Sequence, residues 1–205
     1  MEQRRPSPPE YTLEILTDRT NVKDIVKAVL HAIFFHRYFI PIEPCCRDVL
    51  DVTMSYIADD DLETLIDQRA TALARALDTA STPSGLPSPQ YNQKQSGRGQ
   101  VVLQFLEKKR KKGWGFMKGG EEELCWEVWC LNVTLAMPRT ESDSQKVRNA
   151  MEKSLEKTAF KIVTIVNRDR GHIPPITTTE TNPFPYQILV NPKNDGWGQR
   201  MGIFN

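Results

Sequence analysis

The run Leu124-Cys125-Trp126-Glu127-Val128-Trp129-Cys130-Leu131-Asn132-Val133-Thr134-Leu135-Ala136 is the strongest strand pattern in the chain. Aromatic and β-branched residues dominate it, and apolar side chains fall on both faces. Such a strand is central and covered on each side, or has one face at an interface. Cys125 and Cys130, five apart, are expected on opposite faces. Upstream, Val101, Leu103 and Phe105 alternate as a partner strand that ends in Lys108-Lys109-Arg110-Lys111-Lys112. Between the two strands, residues 113–120 read as a glycine-rich turn carrying Trp114 and Phe116. Two large aromatics among glycine hinges are either folded back as a lid or presented to a partner, and composition leaves both open.

Further outward, the period switches between strand and helix. Tyr11, Leu13 and Ile15 give a first strand. Asn21 with Asp24 signals a helix start, and Val22, Ile25, Val26, Val29, Leu30 and Ile33 follow at helical spacing to about Tyr38. Pro41 and Pro44 end that helix. Leu50, Val52, Met54 and Tyr56 predict a half-buried strand. Asp59, Asp60 and Asp61 suit the positive end of a second helix with Leu62, Leu65, Ile66, Arg69, Leu73 and Leu77 along one stripe. Residues 79–99 collapse into Ser, Thr, Pro, Gln and Gly, which predicts a flexible loop. A third helix is expected over residues 141–166, with Val147, Met151, Leu155, Ala159 and Ile162 inward. The Pro- and Thr-rich remainder, residues 167–205, holds two short apolar segments, 186–190 and 201–204. The order β-α-β-α-β-β-α-β predicts a single α+β domain over residues 11–205, with three helices against one sheet, after a flexible tail at 1–10.

Composition narrows function chiefly by exclusion. A formal net charge of +1 over 205 residues gives no long-range field to gather nucleic acid or anionic membrane. The N-terminus lacks the apolar core of a signal peptide, and residues 25–40 are too short and too charged to span a bilayer. Cys45, Cys46, Cys125 and Cys130 read as reduced cytosolic thiols, not as a disulfide framework. His31 and His36 are five apart and do not stack as paired ligands, and His172 sits in a loop where packing is the default. No nucleophile elbow or phosphate-binding loop occurs, so neither catalysis, a metal nor a cofactor is expected. The basic run is the sharpest charge feature and could serve a lipid- or nucleic-acid-binding module. Six basic residues face four glutamates between positions 107 and 123, however, which favours a solvated strand end.

Four features taken together carry a resemblance. They are Val29-Leu30-His31-Ala32-Ile33-Phe34-Phe35-His36-Arg37, the strand motif Trp126-Glu127-Val128-Trp129, the helix end Ile162-Val163-Thr164-Ile165-Val166-Asn167-Arg168, and the Trp114-x-Phe116 loop. In this order and spacing they resemble the autophagy-related protein 101 family, from Tyr11 to about Val190. The resemblance implies a HORMA domain, a mixed β-sheet backed by three helices with a mobile C-terminal region. It implies a non-catalytic, cytoplasmic adaptor of the Atg1/ULK kinase complex, recruited to the site of autophagosome formation. The implied partner is the HORMA domain of autophagy-related protein 13, as a heterodimer docked in part through the third helix. Carried over by position, Trp114 and Phe116 become an exposed finger that recruits downstream factors. Animal members place proline between the two aromatics. Gly115 stands there in this chain, so a less preorganised finger is expected. A checkpoint-type HORMA protein that clasps a peptide with its C-terminal region is the rival within the fold.

Overall fold

The computed structural model describes residues 7–81, 97–110, 121–177 and 182–192. Its elements run β1 (Glu10–Thr17), α1 (Val22–Arg37), β2 (Pro44–Val49), β3 (Val52–Ile57), α2 (Asp60–Ser81), β4 (Arg98–Arg110), β5 (Glu121–Leu135), α3 (Glu141–Arg168) and β6 (Tyr186–Val190). The expected α+β architecture of a mixed sheet and three helices is present. A four-stranded sheet has the order β1-β5-β4-β6, with β1 parallel to β5 and the other pairings antiparallel. The long apolar run is thus a central strand.

Alternation along the strands decides where the core lies. Leu13, Ile15, Val101, Leu103, Phe105, Trp129, Leu131 and Val133 all join one cluster with the buried faces of the three helices. Val102, Val128 and Cys130 form a second, smaller cluster on the opposite face, with Cys125 and Leu189 packed against it. Short polar side chains start each helix. Asp18 Oδ1 accepts the Asn21 backbone N–H at 2.8 Å, Asp59 Oδ1 accepts Leu62 N–H at 2.8 Å, and Thr140 Oγ1 accepts Asp143 N–H at 3.1 Å. The first helix is therefore anchored by Asp18, while Asn21, the expected start residue, makes no side-chain capping bond.

Three expectations need correction. The strand expected around residues 50–56 is the second half of a hairpin, so a separate two-stranded sheet, β2-β3, accompanies the main one. Its turn, Leu50-Asp51, puts Leu50 at φ 54°, a left-handed conformation that a branched side chain seldom adopts. The turn thus carries none of the Asn-Gly chemistry that marks hairpins in sequence. Of the loop expected over residues 79–99, residues 79–81 instead continue α2 to Ser81 and residues 98–99 open β4; residues 82–96 lie outside the described residues. Finally, Cys125 and Cys130 share a face. The β4-β5 register slips between Phe105, opposite Glu127, and Leu106, opposite Cys125, so Trp126 is an extra bulge residue and reverses the alternation.

The expected tail begins the sheet at its last residue. Glu10 opens β1 and the Pro9 carbonyl accepts the Val128 N–H at 3.0 Å, while residues 1–6 lie outside the described residues.

Candidate functional site

Beyond the bulge, β4 and β5 leave the sheet. The β6 pairing of β4 stops at Phe105 and the β1 pairing of β5 at Val128, so Leu106–Arg110 and Glu121–Cys125 continue as a two-stranded ribbon. The connection at the end of that ribbon contains Trp114 and Phe116, which lie outside the described residues, as do Lys111 and Lys112. Register sets Lys108 opposite Glu123, Lys109 opposite Glu122 and Arg110 opposite Glu121. Lys109 also pairs with Glu107 at 2.9 Å. Opposite charges at the Lys108–Glu123 and Lys109–Glu122 positions stabilise the ribbon there.

α3 has two working faces. Met151, Leu155, Ile162, Ile165 and Val166 are buried in the core. Next to them Ser154 Oγ accepts the Leu16 N–H at 3.2 Å, Thr158 Oγ1 reaches the Glu14 carbonyl at 3.5 Å, and Lys161 Nζ donates to the Thr12 carbonyl at 2.7 Å. These side chains occupy backbone groups on the outer edge of β1, which would otherwise template another strand. The remaining face exposes Phe160, 75% accessible, and Val163, 44% accessible, three residues apart and hence adjacent on the helix.

A buried polar cluster ties the elements together, and sequence reasoning missed it. Glu127 is 0% exposed, carried inward on β5 directly after the bulge. Arg37 Nε, at the end of α1 and 3% exposed, donates to both Glu127 carboxylate oxygens at 2.9 and 3.0 Å. Trp129 Nε1 donates to the same carboxylate at 2.5 Å, and His172 Nε2 lies 2.6 Å from its second oxygen. Arg37 reaches onward to the Asp169 carbonyl at 3.2 Å, so both Arg37 and Glu127 grip the segment that follows α3. Tyr11 hydrogen-bonds Asp169 as well, and burial first, then Asp169, pushes its hydroxyl up to about 12. The available signal was a lone acid inside an apolar strand and a lone arginine closing an apolar helix, since charges in such places are buried only when paired.

The other residues of chemical interest are dispersed. His31 is buried on α1 with neither ring nitrogen hydrogen-bonded, and burial pushes it down to about 4. His36 is lowered by burial and by Arg37. The four cysteines are free; burial raises Cys125 to about 11 and Cys130 to about 12, so neither offers a ready thiolate. Among the described residues no group of three or more His, Cys, Asp or Glu side chains could hold a metal, and no helix is long and apolar enough to cross a membrane.

This is a mixed-sheet α+β protein whose described residues include a bare apolar patch on α3 and a charge-paired ribbon that runs on past the four-stranded sheet. The family model described as Autophagy-related protein 101 matches residues 14–180. The chain is 32% identical over 198 residues to Autophagy-related protein 101 of Schizosaccharomyces pombe, with 95% of each chain covered. It is 23% identical over 202 residues to the Arabidopsis thaliana protein of that name, covering 89% of this chain and 86% of the other. With the Xenopus tropicalis protein it shares 30% over 160 residues, 76% and 71% of the two chains. The chain belongs to the autophagy-related protein 101 family, which gives it a role in autophagy.

Proposed function

We propose that the chain is a non-catalytic HORMA-domain adaptor of autophagy initiation. It docks on the HORMA domain of autophagy-related protein 13 as a heterodimer and stabilises that partner by mass action. At the site of autophagosome formation, where this cytoplasmic protein is recruited, Trp114 and Phe116 are offered to downstream factors. The observation that carries the docking half is the pair Phe160 and Val163, held bare on a helix whose other large apolar side chains pack into or against the core. An aromatic anchor in an interface is worth about 2 kcal/mol or more. The finger half draws support from the ribbon, whose two strands run on past the four-stranded sheet to Arg110 and Glu121, the residues on either side of positions 111–120.

Co-purification with the HORMA domain of autophagy-related protein 13 at micromolar concentration tests the docking. A one-to-one complex is expected, and it is lost in a Phe160→Asp, Val163→Asp variant. Trp114→Ala with Phe116→Ala should keep the complex and lose recruitment in cells; unfolding of that variant would place the aromatics in the core. Absence of a complex from folded chain favours the peptide-clasping rival, although the Arg37 and Glu127 grip on the segment after α3 counts against ready rearrangement there. Steeply salt-dependent binding to anionic vesicles, lost on neutralising Lys108 and Lys109, would revive the lipid- or nucleic-acid-binding reading. Glu123 and Glu122, in register opposite Lys108 and Lys109, argue the other way.

A further inference from the structure

Phe160 and Val163 share the exposed side of α3 with a row of lysines. At about 100° per residue, Lys146, Lys153 and Lys157 project within about 60° of Phe160 on one side, and Val163 lies about 60° to the other. All three lysines are exposed. At about 1.5 Å per residue they follow the helix axis for about 16 Å, from about four turns to about one turn before Phe160.

Other lysines of the fold are engaged. Lys23 and Lys27 pair with Asp67 at 3.0 and 2.8 Å, Lys109 pairs with Glu107 at 2.9 Å, and Lys161 Nζ donates to the Thr12 carbonyl. On α3 itself Arg148 pairs with Glu152 at 3.0 Å and with Asp51 at 3.4 Å. Among the described residues no carboxylate pairs with Lys146, Lys153 or Lys157. Between positions 146 and 163 the helix carries five basic side chains against two acidic ones, although the whole chain is nearly neutral at +1. The field beside the bare apolar pair is therefore positive, and it favours a docking surface of the opposite sign. An anionic membrane has that sign too. Two apolar side chains bury too little area to hold a helix at a bilayer, however, and Glu156 stands exposed beside Phe160, where lipid phosphates would repel it.

We propose that the protein surface received by this face of α3 is acidic: an apolar pocket for Phe160 and Val163, with carboxylates alongside that face Lys146, Lys153 and Lys157. The inference rests on the docking through α3 proposed above and adds the chemistry of the partner. The lysines occupy the wet rim, where charge governs the speed and selectivity of encounter more than the strength of the final contact.

The test follows association of the full chain with the HORMA domain of autophagy-related protein 13 by stopped flow, from about 20 to about 300 mM salt. The association rate should fall at least tenfold over that range. Replacing the three lysines together, Lys146→Glu, Lys153→Glu and Lys157→Glu, should slow association at least tenfold at low salt and change dissociation less than about threefold. The urea midpoint of that variant should stay in place, because all three side chains are exposed. An association rate indifferent to salt and to charge reversal, with the complex still lost in Phe160→Asp, Val163→Asp, would overturn the inference and leave the docking in place. A complex that survives Phe160→Asp, Val163→Asp would remove the docking reading, and the inference with it. Binding of the unaltered chain to vesicles of phosphatidylserine and phosphatidylcholine, lost on the same charge reversal, would overturn the inference in favour of a membrane.

Discussion

Replacing Glu127 by alanine should be among the most damaging single changes available in this fold. The carboxylate is 0% exposed and takes three partners, Arg37 at 2.9 and 3.0 Å, Trp129 at 2.5 Å and His172 at 2.6 Å. Its removal strands a guanidinium that is only 3% exposed, and breaking a buried pair from one side costs about 3–5 kcal/mol. The Trp129 N–H, left unmet, adds to this, though members of one network do not sum. Against a total stability of about 5–15 kcal/mol, that is a large share. With a urea slope of about 2 kcal/mol per molar, the unfolding midpoint should fall by about 2 M. A double-mutant cycle with Arg37→Met gives the sharper result. The double variant should cost clearly less than the two single changes together, because no charge is then left stranded. Hydrogen exchange should also quicken in residues 169–173, which Arg37 and His172 tie to the sheet. A Glu127→Ala cost below about 1 kcal/mol, or strict additivity with Arg37→Met, would refute the network as the anchor of this segment.

Other consequences can be checked with less effort. His31 is held near 4 against an ordinary 6.5, so the unfolded chain takes up the proton first. Stability should then fall as pH drops from about 6.5 towards 4, by up to about 3 kcal/mol, and His31→Leu should flatten that window in pH-dependent melting. Glu63 and Asp67 are lowered by Tyr56 and by Lys27 with Lys23, so their contributions disappear below the ordinary carboxylate range in both proteins. Phe160→Asp with Val163→Asp should move stability by no more than about 0.5 kcal/mol while weakening partner association at least tenfold, read by denaturation and by titration calorimetry. Gly99→Ala would bring a Cβ within 2.7 Å of Leu73 Cδ1 and 3.3 Å of Leu77 Cδ2, both in the core, and should cost about 1–3 kcal/mol in urea denaturation.

Helices α1, α2 and α3 and strands β1, β4, β5 and β6 were legible because each buries one face in a regular period, and burial writes that period into the sequence. Hairpin β2-β3 was half legible. Four of the six β2 residues are exposed, so no alternation marks that strand, and Leu50 gives no turn signal. Trp114 and Phe116 stood out through their glycine-rich setting. The bare α3 face did not stand out, because Phe160 and Val163 are ordinary in an amphipathic helix until the neighbouring positions have been assigned to the core and to β1. Glu127, Arg37 and His172 are separated by 90 and 45 residues, and no local pattern joins them.

A single inserted residue accounts for much of what could not be foreseen. With strict alternation along β5, Cys125, Glu127 and Trp129 would share the helix-facing side. The bulge at Trp126 keeps Glu127 and Trp129 there, adds Trp126 to the same core, and sends Cys125 to the opposite face beside Cys130. At that point the sheet narrows from four strands to a ribbon, since neither β1 nor β6 pairs beyond it. Bulges bend and twist the strand that bears them, so the direction in which the ribbon leaves the sheet is set where Glu127 holds the segment after α3. The base of the ribbon and the segment after α3 therefore meet at one buried carboxylate. Loosening that carboxylate would disturb the base of the ribbon and the path of the chain after α3 together, even though the two are far apart in sequence.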